Sequence, residues 1–220
     1  STSNDTVTLN TVFGYENGGN LIVPSGVTLV TQKIKKVNTI KNAESNVSAT
    51  SNFLGTTLVR NTIESITITN DNIVPTTAIG SFDVSNNNDG SIMMWYTKGS
   101  SDNLYNVYIG SESGITTFPD DSKYLFSYLS NVTSIDLKFT NVTNTSSMIN
   151  MFYQDTKLKE IDLSSFKTSS LLYFVSMFEG CSSLVTLDLS GFDTSRITNF
   201  SNLFKNCTNL KEINLNSFNT

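Results

Sequence analysis

The sequence predicts an α/β solenoid of about four coils, preceded by a β-rich N-terminal capping region. Three observations carry that expectation. First, Phe126, Phe152, Phe178 and Phe204 recur every 26 residues. Val132, Leu158, Leu184 and Leu210 keep the interval. So do Ile135, Ile161, Leu187 and Ile213, and Leu137, Leu163, Leu189 and Leu215. Second, each period reads in two halves. In Leu184, Leu187 and Leu189 the apolar positions end in strand alternation; in Ile197, Phe200, Leu203 and Phe204 they fall at i, i+3, i+6 and i+7, which suits a short helix or a 3₁₀ stretch. Third, residues 1–120 lack the period and read as strands and turns. One strand and one short helix per 26 residues is the pattern of a leucine-rich repeat coil, whose apolar side only a neighbouring coil can cover.

The elements follow in chain order. Val7 to Phe13, Leu21 to Val23 and Val27 to Thr31 are candidate strands, broken by Gly18-Gly19 and Pro24-Ser25-Gly26. Ile34, Val37 and Ile40 space a candidate short helix over 32–41, and the polar stretch 43–52 reads as a loop or linker. These make up a β-rich segment, 1–55. In the next segment, 56–121, Ile63, Ile66 and Ile68 mark a β-branched run. Gly80 to Ser85, Ser91 to Thr97 and Leu104 to Ile109 form a three-strand meander, joined by an Asn-Asp-Gly turn and a Gly-Ser-Ser-Asp-Asn turn. The meander precedes the first coil and is expected to cover its open end. Residues 122–220 are the repeats. Their core is expected at Phe126, Phe152, Phe178, Phe204, Leu158, Leu184, Leu187, Leu189, Leu210, Cys181 and Cys207. The repeats stop after a fourth strand, and the chain starts at Ser1 without a Met, so it reads as a piece of something longer.

Composition narrows function. The 220 residues carry 14 basic and 19 acidic side chains, a net charge of −5, and only 15% are charged. That balance argues against a nucleic-acid binder that works by neutralising phosphate. About two-fifths of the chain is Ser, Thr and Asn, a make-up of strand and turn surfaces. There is no His, which removes His-dependent triads and His metal ligands. The two Cys do not form a C-x-x-C pair, and no apolar run is long enough to span a membrane. No cofactor and no metal site is expected.

The candidate binding face is the outward side of the repeat strands. Asp136, Asp162 and Asp188 share a column that Asn214 continues, flanked by Glu160, Thr186 and Glu212. Lying between inward leucines, these side chains point away from the core. The Asp column reads either as a ligand or cation ladder or as a set of acceptors for neighbouring turns, and a spacing that belongs to the repeat itself favours the second. The face is polar, nearly flat and without aromatics, so it lacks the residue types of a binding hot spot. Glu160 and Asp162 stand two apart on one strand, about 6.5 Å between Cα atoms, which leaves a carboxylate-based glycoside hydrolase as a remote alternative. Cys181 and Cys207 occupy one column. Their in-register side chains point the same way, poor geometry for a disulfide, and buried free thiols are favoured. The stretch from Ser85 to Gly90 has the look of a calcium loop but carries Tyr96 where the closing Glu would stand, so a hairpin turn is favoured. Trp95, Tyr96, Tyr105 and Tyr108 are assigned to packing within the meander.

The stretch from Leu184 to Cys207, LVTLDLSGFDTSRITNFSNLFKNC, closely resembles the BspA-type leucine-rich repeat, with a good match from Met151 to Phe178 and a weaker one before it. Residues from about 60 onward are similar to surface proteins of Gram-positive bacteria and mycoplasmas in which such repeats occur. The resemblance implies a secreted or cell-surface bacterial protein that is not an enzyme, an adhesin or interaction module. Its partner would be an extracellular host protein or cell-surface ligand. The alternative is a structural stalk presenting another domain. No signal or anchor is visible within the chain.

Overall fold

The computed structural model describes residues 38–44 and 47–219. The candidate strands between Val7 and Thr31, and most of the candidate helix over 32–41, lie outside them. The end of that helix, from Asn38 to Lys41, is extended instead. Thr39 bridges Thr117 in parallel and Ile40 bridges Ser85 antiparallel. Its amides are satisfied by other strands: Ile40 N–H donates to the Thr117 carbonyl (3.0 Å) and Lys41 N–H to Val84 (2.9 Å).

Nine strands follow: β1 (Ile63–Thr69), β2 (Gly80–Asp83), β3 (Ile92–Lys98), β4 (Tyr105–Ser111), β5 (Thr116–Thr117), β6 (Ser134–Asp136), β7 (Thr140–Asn141), β8 (Thr186–Asp188) and β9 (Glu212–Asn214). The main sheet is mixed and five-stranded, in the order β2-β3-β4-β1-β6. The meander β2-β3-β4 is antiparallel, with Met94 opposite Ile109 and Tyr96 opposite Val107. β4 then pairs in parallel with β1, Ile66 beside Val107 and Ile68 beside Ile109. β-branched residues fill this contact because both faces of a central strand are covered. Gly110 is required in β4, since a Cβ there would run into the Asp71 carbonyl. β1, rather than the meander, lies against the repeats, with Ser65 opposite Ser134 and Ile66 opposite Ile135.

The expected α/β solenoid does not form. Among the described residues the only helix is one 3₁₀ turn, Arg60–Thr62, and the chain is β-rich. The repeat strands do not build one sheet either. β6 belongs to the five-stranded sheet, β8 and β9 pair only with each other, and residues 160–162 between them belong to no strand. The leucine-rich-repeat assignment therefore fails on both of its elements.

The reason lies in the backbone. Tyr124 and Tyr128, Asn150 and Gln154, Ser176 and Gly180, and Asn202 and Asn206 all have positive φ, in pairs four apart that recur every 26 residues. A left-handed residue ends any right-handed helix. The amides of these segments bond to the next turn instead of four residues back. Tyr124, Phe126 and Tyr128 N–H donate to the carbonyls of Ile149, Met151 and Tyr153 at 3.0, 3.0 and 2.7 Å. Asn150, Phe152 and Gln154 donate likewise to Val175, Met177 and Glu179. Spacing of i, i+3, i+6 and i+7 is thus met by consecutive tight turns stacked on one another.

That stacking places the core. Phe126, Phe152, Phe178 and Phe204 form one column of nearly parallel rings, with centroids 5.7, 5.5 and 6.1 Å apart. The first three are fully buried, as are Leu158, Leu184, Leu189 and Cys181; Leu187 is 4% exposed, whereas Phe204, Cys207 and Leu210 at the far end are half-buried. Arg60 is also fully buried and lies over the Phe53 ring. Its Nη1 donates to the carbonyls of Tyr124, Leu125 and Ser127 at 3.3, 3.3 and 2.8 Å. The 3₁₀ turn before β1 is thereby tied to the first stacked turn.

Candidate functional site

The outward side of the stacked turns is a groove of about 1180 Å³, lined by segments 134–138, 160–165, 186–188 and 212–214. All seven candidate binding residues, Asp136, Glu160, Asp162, Thr186, Asp188, Glu212 and Asn214, lie on its wall. Ile135, Ile161 and Leu187 form its nearly closed floor at 5, 8 and 4% exposure, while Ile213 at the end is 37% exposed. The surface is concave rather than nearly flat. It contains no aromatic residue among its lining side chains.

The Asp column does a local job in every turn. Asp136 Oδ1 accepts from Lys138 N–H at 3.0 Å, Asp162 Oδ1 from Ser164 N–H at 2.9 Å and Asp188 Oδ1 from Ser190 N–H at 2.8 Å. Asn214 Oδ1 accepts from Asn216 N–H at 3.2 Å. Each side chain closes a turn that carries the chain out of the groove, the use Asp and Asn serve at such corners. This geometry accounts for the periodic Asp without a cation. It also fixes charge: the Ser164 hydroxyl and amide hold the Asp162 carboxyl below its usual range, and the Ser190 hydroxyl and amide, with Asn214, do the same for Asp188. Both are ionised at neutral pH. Five carboxylates line the groove against one ammonium, Lys138, which rests over the Phe139 ring at 5.4 Å.

A glycosidase acid must be held protonated near neutral pH, usually by burial. Asp162, the partner of Glu160 in that alternative, is exposed and held in the opposite direction. The loop from Ser85 to Gly90 spends its carboxylates on its own turn. Asp83 accepts from Ser85 N–H (2.9 Å), the Ser85 hydroxyl and Gly90 N–H (2.8 Å), and Asp89 accepts from Ser91 N–H (3.1 Å). Trp95 stacks on Tyr108 and Tyr96 meets Tyr105 edge-on, within the sheet.

Cys181 and Cys207 are free thiols. Each donates to a main-chain carbonyl of the preceding turn, Cys181 Sγ to Phe152 and Cys207 Sγ to Phe178, both at 3.0 Å. Burial raises both, Cys207 to about 11, so neither is a thiolate nucleophile at neutral pH. Sequence reasoning missed the groove's concavity, its isoleucine floor, and the buried pair Arg60 and Asp155. Of these only Asp155 left a trace, as the carboxylate that stands in the thiol column.

Residues 120–220, a little under half of the chain, match a family described as Mycoplasma protein of unknown function, DUF285. The match covers the stacked turns and the whole groove. No curated protein and no solved structure matches the chain.

Proposed function

We propose that this chain is a non-enzymatic, surface-exposed interaction protein that docks an extracellular protein or cell-surface ligand in the groove across its stacked turns. The observation that carries this reading is the groove itself. It is concave, continuous over four turns, and lined by carboxylates, two of which are locked in the ionised form by their own turns. Fixed charge of one sign on a concave surface steers partners of the opposite sign, so the fitting partner presents Lys or Arg there. Without aromatic anchors the binding is broad, and its strength falls with salt. The surface location draws on the likeness of 184–207 to BspA-type repeats and on the mycoplasma family matched over 120–220. An adhesive role toward host matrix or cells is the specific form we favour.

The test is a binding screen of the purified chain on immobilised fibronectin, fibrinogen, collagen, laminin and whole epithelial cells, beside the Asp162→Lys/Asp188→Lys double variant. Melting temperatures first establish that the variant is folded. Saturable, salt-sensitive binding that the folded variant loses is the expected result. Binding that survives the double reversal moves recognition off the groove. No binding to any probe turns the reading toward a stalk.

A further inference from the structure

Residues 129, 155, 181 and 207 form one column, occupied by Leu, Asp, Cys and Cys. The two cysteines do the same thing: each Sγ–H donates to the carbonyl 29 residues earlier, in the preceding turn. The corresponding acceptor for Asp155 is the Phe126 carbonyl. Among the described residues no N–H or O–H reaches that carbonyl, although Arg60 takes those of Tyr124, Leu125 and Ser127 on either side of it. Asp155 is itself fully buried. Its Oδ1 accepts from Leu129 N–H at 2.8 Å, while its Oδ2 has no partner. Two buried acceptors therefore stand at the place where the next two turns each have a donor and an acceptor. Unmade hydrogen bonds of this kind are costly.

We propose that Asp155 is carried in the folded protein as a neutral carboxylic acid, its Oδ2–H donating to the Phe126 carbonyl as the thiols do in later turns, so that the first stacked junction is held by a proton. Burial favours that form by opposing the charge. The charged and titratable groups that face Asp155 are Arg60, from the 3₁₀ turn, and Cys181, from the following turn. Arg60 and the Leu129 amide favour the anion, but less than burial opposes it. The fold thus holds this proton more tightly than the unfolded chain does. The contribution is complete below the unfolded value of about 3.9 and is lost as pH rises toward the folded one. The junction concerned is the one Arg60 ties to β1, so its loss loosens the seam between the five-stranded sheet and the repeats.

The experiment compares urea midpoints of the chain and of Asp155→Asn between pH 4 and 9. Asn keeps the acceptor for Leu129 and supplies an N–H for Phe126 at every pH. The unsubstituted protein is expected to lose midpoint relative to the variant as pH rises, by on the order of 0.5 M or more. A difference that stays constant, or a relative gain with pH, overturns the proposal. If Asp155→Asn does not fold, ¹³C NMR of the aspartate carboxyl carbons in the unsubstituted protein decides. One carboxyl that stays protonated at pH 7 is expected, and none contradicts the inference.

Discussion

Phe178→Ala tests the stacked column at its most enclosed point. The Phe178 ring is fully buried and sits between Phe152 at 5.5 Å and Phe204 at 6.1 Å, both nearly parallel to it. Removing a buried Phe costs about 3–5 kcal/mol through lost transfer energy and the residual cavity, and two lost ring pairs place this site toward the upper end. Phe204 has one such neighbour and is half-buried, so Phe204→Ala should cost about half as much. With an m-value of about 2 kcal/mol per M, the urea midpoint should fall by roughly 2 M for Phe178→Ala and roughly 1 M for Phe204→Ala. Tyr173→Ala, at a side chain 56% exposed, is the control and should move stability by less than about 0.5 kcal/mol. Circular dichroism during urea titration gives all three values. Equal costs at positions 178 and 204 would refute the reasoning, because enclosure by two turns would then contribute nothing.

Three further outcomes are expected. Gly110→Ala should destabilise the five-stranded sheet by about 1–3 kcal/mol or prevent folding, since its Cβ meets the Asp71 carbonyl and that carbonyl cannot swing away; thermal melts check this. Non-reducing electrophoresis should show no disulfide, and a thiol reagent at pH 8 should modify half-buried Cys207 slowly and Cys181 only on unfolding; mass spectrometry assigns the order. Asp162 and Asp188 have lowered carboxyl values, so their contribution is present above the unfolded value of about 3.9 and lost as pH falls through the folded ones. The Asp162→Asn/Asp188→Asn variant should therefore lose less stability than the parent on acidification below pH 4, read from melting temperatures, and an equal loss would remove their turn bonds from the account.

Local periodicity was the legible part of this fold. Alternation and turn residues place β2, β3 and β4 within a few residues of their ends, and the phenylalanine column identifies which rings meet. The helices were misread because apolar spacing of three and four is shared by a helix and by consecutive tight turns. The deciding feature is the sign of φ. Asn150, Asn202, Asn206 and Gly180 are residue types that tolerate the left-handed region, whereas Tyr124, Tyr128 and Ser176 adopt it with no sequence signal. Parallel pairing of β1 with β4 and β6 joins segments far apart in sequence, and no local pattern encodes it. The groove residues were legible as an outward column, because Asp between leucines must point away from the core. Its concavity was not, since it depends on how residues 160–162 sit between two sheets without joining either.

Carboxyl footprinting on the cell-bound protein measures the central claim most directly. The chain is labelled with a carbodiimide and an amine in solution and again on epithelial cells, and each acidic side chain is quantified by mass spectrometry. The account predicts that Asp136, Glu160, Asp162, Asp188 and Glu212 lose labelling on the cells while fully exposed Asp102 keeps it. Cell-bound protein whose groove carboxylates label as fast as in solution would contradict it.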